Sequence, residues 1–242
     1  FDAVITVSEV ERLYAISLGV DEAKIHTIGN GVDAAKVLGR VAANPPMRDS
    51  DVKVIGFIGR LVHQKNPLLF IQVIAQLIAR GLPVRARIIG DGPLRDHLQE
   101  FAAQLKIAER IDWCGAVSAV EEIGNIDVLV HTSHYESSPY SLLEAVAANV
   151  PVVAVANAGS CSLFEEHLQE ALVSSMDFRE LADGVETVLF NPALRQHYTR
   201  KYNAILLNHS VDTMVDRTIA IYERVLTPHL KSEPTPELIA HA

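Results

Sequence analysis

Short apolar runs rich in β-branched residues recur along this chain, separated by longer amphipathic stretches. That rhythm limits the fold more than any other feature of the sequence. Val52 to Ile58, Val84 to Ile89, Ile111 to Cys114, Val128 to His131 and Val152 to Val155 each read as a strand. Between them, Pro67 to Arg80, Pro93 to Leu105, Ala119 to Ile123 and Ser141 to Ala148 read as helices. Strands without an alternating polar face are buried on both sides. The expected fold is therefore α/β: a Rossmann-like parallel sheet with helices on both faces. Right-handed crossovers then bring every strand C-terminus to one edge, where sheets of this kind bind ligands.

The flanks read less regularly. Ala3 to Val7 is a strand, followed by a helix from Glu9 to Leu18 with Ser8 and Glu11 as capping box and Gly19 as stop. Lys24 to Ile28 is a short strand closed by Asn30-Gly31, and Ala34 to Ser50 reads as a loop containing Pro45-Pro46. After Val155 the patterning fades, with Ala171 to Val173 as a last strand. Asp177 to Leu226 reads helical, interrupted near Pro192 and His209. The domain is expected to span 1–226, and the three prolines of 227–242 suggest a mobile tail. A start at Phe1 rather than Met suggests a fragment of a longer protein.

Composition narrows the function classes. Lys plus Arg is 21 and Asp plus Glu is 30, a net charge of -9. Nonspecific nucleic-acid or anionic-lipid binding needs a positive field, so a local basic pocket is the most this balance allows. Cys114 and Cys161 are too few for a disulfide scaffold or a Cys-rich metal site. No apolar run reaches the ~18 residues of a membrane span, and no segment reads as a signal peptide.

Three strand ends share one grammar: glycine or polar residues, then a proline at the expected first helical position, where its missing N–H costs nothing. The first is Gly59-Arg60-Leu61-Val62-His63-Gln64-Lys65-Asn66-Pro67, with Asn66 as N-cap. Arg60 and Lys65 beside a helix N-terminus suit a polyanion, or are two solvated cations. The second is Gly90-Asp91-Gly92-Pro93, too short for a dinucleotide fingerprint. It reads as a tight turn with Asp91 as helix cap, or as glycines admitting a ligand close to the backbone. The third runs from His134 to Glu144, with Ser138 as N-cap and Pro139 as first helical residue. Glu144 then lies ~7.5 Å along the axis from Pro139, at 1.5 Å per residue. A phosphate on the N-terminal amides would leave room there for a pentose, whose diol a carboxylate can accept. The alternative is an acid facing water. His63, His131 and His134 lack metal-ligand spacing and read as core or surface histidines.

With these residues in place, the chain resembles the C-terminal half of GT-B-fold retaining glycosyltransferases, glycosyltransferase family four. The resemblance rests on E-x7-E, carried by Glu136 and Glu144, and on Gly59-Arg60-Leu61 with Lys65-Asn66. Gly90-Asp91-Gly92-Pro93, Ala145 to Val153, Val4-Ile5-Thr6-Val7-Ser8 and Gly29-Asn30-Gly31-Val32-Asp33 add to it. It implies a donor domain for a UDP- or GDP-sugar. Arg60 and Lys65 would hold the diphosphate and stabilise the leaving group. Amides near Tyr140, Ser141 and Leu142 would hold the distal phosphate. Glu144 would bind the ribose hydroxyls, Glu136 the donor sugar near the reacting carbon, and Gly90, Gly92 and the segment after Cys114 would border the base. It implies no cofactor and no metal, the cations and helix dipole taking the metal's place. It further implies an N-terminal acceptor domain absent from this chain as partner. The whole protein would be cytoplasmic, with the inner face of the membrane as a further expected location.

The family's Gly-Gly-x-Pro-Glu segment reads Ala158-Gly159-Ser160-Cys161-Ser162 here, without the proline or the acid. The following glycine-rich loop is replaced by His167 to Ala171. These departures keep open a non-catalytic nucleotide-binding or scaffold domain. E-x7-E speaks against a nucleotide-sugar epimerase. The lack of G-x-G-x-x-G after the first strand speaks against a nicotinamide dehydrogenase.

Overall fold

The computed structural model describes residues 1–45 and 51–230. The described elements, in chain order, are β1 (Val4–Thr6), α1 (Glu9–Ser17), β2 (Ile25–Thr27), α2 (Ala34–Ala43), β3 (Lys53–Ile58) and α3 (Pro67–Ala79). There follow β4 (Val84–Ile89), α4 (Arg95–Gln104), β5 (Ile111–Gly115), α5 (Ala119–Glu122), β6 (Val128–His131) and α6 (Tyr140–Ala147). The last are β7 (Val152–Val155), α7 (Ala158–Phe164), β8 (Leu172–Val173), α8 (Phe178–Phe190), α9 (Pro192–Asn208) and α10 (Val211–Leu230).

Six strands form one parallel sheet in the order β5-β4-β3-β6-β7-β8. Every residue of β6 and β7 is buried, as their unbroken apolar runs require. α3 buries Leu69, Phe70, Ile71, Val73, Ile74 and Leu77 and packs against α8, while α6 packs against α2 and α9. The strand order reverses direction between β3 and β6. In doubly wound sheets that reversal leaves a crevice outside the strand C-termini, and ligands bind in it. The loops after β3 and β6 are the ones carrying Arg60, Lys65 and Glu136.

β1 and β2, both expected as strands, are present and pair in parallel as a sheet of their own, a pairing the sequence reading did not assign. Several expectations are corrected. Ala34 to Ala43 is helix α2, not loop. Asp33 starts it by accepting the Lys36 N–H, and Val37 anchors it in the core. The rest of the expected loop, 46–50, lies outside the described residues. α4 begins at Arg95 rather than Pro93, and Asp91 does not cap it. The Asp91 carboxylate instead takes the Gly92 N–H and pairs with Arg95 at 3.3 Å. The unpatterned stretch after β7 holds α7, capped by a reciprocal Asn157–Ser160 box. Glu11 answers the Ser8 cap by accepting the N–H of Val7, one residue earlier than expected. α10 runs through Leu230, past the expected end of the domain at 226; the remainder of the expected tail, 231–242, lies outside the described residues.

Candidate active site

The loop after β3 ends in a single helical turn, His63–Lys65. Asn66 then adopts a left-handed conformation (φ 48°, ψ 52°), and its side chain accepts the Leu69 N–H to start α3. This loop is tied to the one after β6. The His134 N–H donates to the Gln64 carbonyl at 2.9 Å, the Thr132 hydroxyl to the Lys65 carbonyl at 2.9 Å, and the Gln64 amide to the Tyr135 carbonyl at 3.1 Å. With its backbone so held, Lys65 places its ammonium on the Glu136 carboxylate as an ion pair. The Glu136 side chain is 10% exposed and that of Lys65 is 22% exposed. A carboxylate this buried needs such a partner.

α7 closes the third side. The Asn157 amide donates to the Ser133 carbonyl at 2.9 Å. Gly159 lies against Glu136, where a Cβ would stand 2.8 Å from the Glu136 Cβ and 2.9 Å from its carbonyl oxygen. Of the family segment that this chain alters, the glycine that meets Glu136 is kept. Beneath the pair, at the end of β6, sits His131, 4% exposed. Its Nε2 is 3.3 Å from the Ser133 hydroxyl and 3.8 Å from Glu136 Oε1, and its buried Nδ1 has no partner among the described residues. Burial brings the imidazole pKa down to about 4; Glu136 opposes that fall and Lys65 adds to it.

α6 begins at Tyr140, and Pro139 (φ −75°, ψ 117°) is its N-cap rather than its first residue. Ser138 is not the cap: its hydroxyl accepts the Asn30 N–H, and its carbonyl accepts the Asn30 amide. Among the described residues the N–H groups of Tyr140 and Ser141 have no acceptor, as expected of a first turn. Leu142, expected to offer a third amide, instead donates to the Pro139 carbonyl at 3.2 Å.

Glu144 lies one turn further on and lines a cleft of about 380 Å³ with Tyr140, Gly31, Val32, Lys36 and Arg40. Burial pushes its carboxyl pKa up, and among the described residues its side chain has no hydrogen-bond or ion-pair partner. Arg60 is exposed, with no ion pair among the described residues.

The structure thus distributes the residues that the resemblance assigns to one nucleotide sugar over two neighbouring groups. Lys65, Glu136 and His131 make one, and Tyr140 and Glu144 in the cleft make the other. Segment 137–139 joins them. Arg60, Lys65 and Glu136 do not line the cleft, and neither do Gly90 and Gly92. Those glycines answer a packing demand. Gly90 has φ +140°, and a Cβ there would stand 1.9 Å from the Gly59 carbonyl; at Gly92 it would stand 2.6 Å from the Leu61 carbonyl. Sequence reasoning read His131 as a core or surface histidine, and the structure buries it beside Glu136; Lys36 and Arg40 were missed because their helix was read as loop. Among the described residues no cluster of three or more His, Cys, Asp or Glu is arranged to hold a metal ion. None of the described helices is long and apolar enough to cross a membrane.

Fold and site together define a doubly wound α/β domain whose charged side chains gather at the β3/β6 reversal. The chain belongs to the glycosyl transferases group 1 family, whose model matches residues 43–204. It is 30% identical over 177 residues to 2-deoxystreptamine glucosyltransferase of Streptomyces kanamyceticus, covering 72% of this chain and 46% of that protein. It is 27% identical over 248 residues to D-inositol 3-phosphate glycosyltransferase of Mycolicibacterium smegmatis, covering 97% of this chain and 56% of that protein. The crystal structure of Anabaena HepE in complex with UDP and glucose superposes with a TM-score of 0.82 at 20% identity, over 92% of this chain and 63% of that one. The chain spans about half the length of the curated relatives it matches. Its fold is that of the C-terminal domain of GT-B glycosyltransferases.

Proposed function

We propose that this domain binds a nucleoside diphosphate sugar and, in the whole protein, serves sugar transfer to an acceptor hydroxyl with retention of configuration. The observation that carries the reading is Glu144. Among the described residues it is a desolvated, unpartnered carboxylate one turn into a helix whose first two amides are also unpaired. A ribose diol supplies the two donors this carboxylate lacks, and a phosphate supplies the acceptors the amides lack. Arg60 and Lys65 then offset charge developing on the departing diphosphate, and Glu136 faces the donor sugar. In this reading the cations and the α6 N-terminus take the place of a metal and no cofactor takes part. The acceptor is held by an N-terminal domain. We place the whole protein in the cytoplasm or at the inner face of the membrane.

The Anabaena neighbour, described with UDP and glucose bound, supports a uridine nucleotide as the first ligand to try. The test is thermal unfolding with UDP, GDP, ADP or NAD, because a ligand that binds only the folded state raises its stability. UDP or GDP raises Tm, NAD does not, Arg60→Ala abolishes the effect and Glu144→Gln weakens it. Equal responses in wild type and both variants would refute this placement of the site and favour a non-catalytic domain.

A further inference from the structure

We propose that His131 is a positioning residue for Glu136: its ring N–H takes over the Glu136 carboxylate when a ligand phosphate draws Lys65 away. The proposal rests on the diphosphate reading for its trigger, but not for the contact itself.

Lys65 and His131 address the same atom. The ammonium is on Glu136 Oε1, and His131 Nε2 waits 3.8 Å from that oxygen. A carboxylate that is 10% exposed and loses the Lys65 cation is left as an uncompensated buried charge. An incoming diphosphate creates that situation, because it competes for Lys65 and adds negative charge nearby. Closing from 3.8 Å to the ~2.9 Å of an N–H···O bond needs a side-chain shift of about 1 Å. No backbone movement is required.

The ring is set up for the exchange. Nε2 also faces the Ser133 hydroxyl at 3.3 Å, which fits the tautomer with its hydrogen on Nε2. Among the described residues the buried Nδ1 has no partner, and none of them fixes the alternative tautomer from the other side of the ring. The charged groups acting on the ring are Glu136 and Lys65. While Lys65 is in place, its charge and the burial keep His131 neutral, and the two donors do not compete. Once Lys65 turns to phosphate, the electrostatic opposition to a His131–Glu136 bond falls. Glu136 thereby keeps its orientation against Gly159 at the moment a donor sugar arrives.

The test is the nitrogen-15 and proton NMR signature of the His131 ring in this chain, with UDP as probe and Lys65→Met as a ligand-free mimic. The Nε2 proton signal is expected to move downfield and to exchange more slowly with water, both on saturation with UDP and in Lys65→Met without ligand. His131→Leu, which keeps bulk and removes the donor, should weaken UDP binding by about tenfold or more, the worth of one hydrogen bond to a charge. His131→Gln, which keeps an N–H near the Nε2 position, should stay within about threefold of wild type. An unchanged ring signal in Lys65→Met, or Gln no better than Leu, overturns the proposal. The expected ring shift in Lys65→Met together with no binding of either UDP or GDP by wild type upholds the contact and overturns the diphosphate reading instead.

Discussion

Replacing Lys65 by Met removes the cation from Glu136 and leaves the rest of the β3 loop held by its backbone bonds. Stranding one partner of a buried pair costs about 3–5 kcal/mol. Two features lower that figure here. Lys65 is 22% exposed, so water reaches the site, and His131 Nε2 stands 3.8 Å from the abandoned oxygen. We therefore expect a loss of about 2–3 kcal/mol. At about 2–4 °C per kcal/mol for a domain of this size, Tm should fall by ~4–12 °C. Urea unfolding with linear extrapolation measures the free energy directly. The double variant Lys65→Met with Glu136→Gln carries no stranded charge and should recover to within about 1 kcal/mol of wild type. If Lys65→Met unfolds with wild-type stability, the pair is not the buried partnership described here. Additive losses in the double variant would likewise refute the reasoning.

Gly159→Ala forces a Cβ to 2.8 Å from the Glu136 Cβ, so it should displace Glu136 and lower affinity for a nucleotide sugar more than for the nucleoside diphosphate, as calorimetric titration of both ligands would show. Glu144 has a raised pKa in the fold, so the folded state holds its proton more tightly than the unfolded chain, and stability falls as pH rises through that raised range. Glu144→Gln should therefore be more stable than wild type at pH 7 and flatter with pH in urea unfolding, while binding nucleotide more weakly. His131 behaves in the opposite sense: with a pKa near 4 against 6.5 for an unperturbed imidazole, it costs stability as pH falls from 6.5 towards 4. His131→Leu should lose less stability than wild type over that interval, by up to about 3 kcal/mol, measured from paired urea curves at pH 4 and 7.

Periodicity made the main sheet legible because β6 and β7 are buried on both faces and spell that burial as apolar runs of Val, Leu and Ala, whereas β4 sets Arg85 and Arg87 among its buried residues. It failed where a cap outweighed composition. Asp33 starts α2 in a stretch marked by turn residues on both sides, and Asn157 starts α7 where apolar spacing is weak. The same limit explains the one-residue slip at α6: Pro139 supplies an N-cap conformation, and Ser138 is occupied with Asn30 from 108 residues away. Of the candidate site, Lys65 and Glu144 stood out in strand-end grammar and Glu136 through the family resemblance, and the β3/β6 reversal brings the loops of Lys65 and Glu136 together. The approach of His131 to Glu136 was not readable, since only the three-dimensional structure puts this core histidine 3.8 Å from the carboxylate. Gly90 was readable as a special backbone position, but its partner is the Gly59 carbonyl rather than the cleft.

The most direct test of the central claim is a residue-resolved amide NMR titration of this chain with UDP and with GDP. For at least one nucleotide, the account predicts saturable shifts that are largest at Tyr140, Ser141 and Glu144 and extend to Lys65. Saturable binding with these four signals unmoved would contradict it, and so would no binding of either nucleotide.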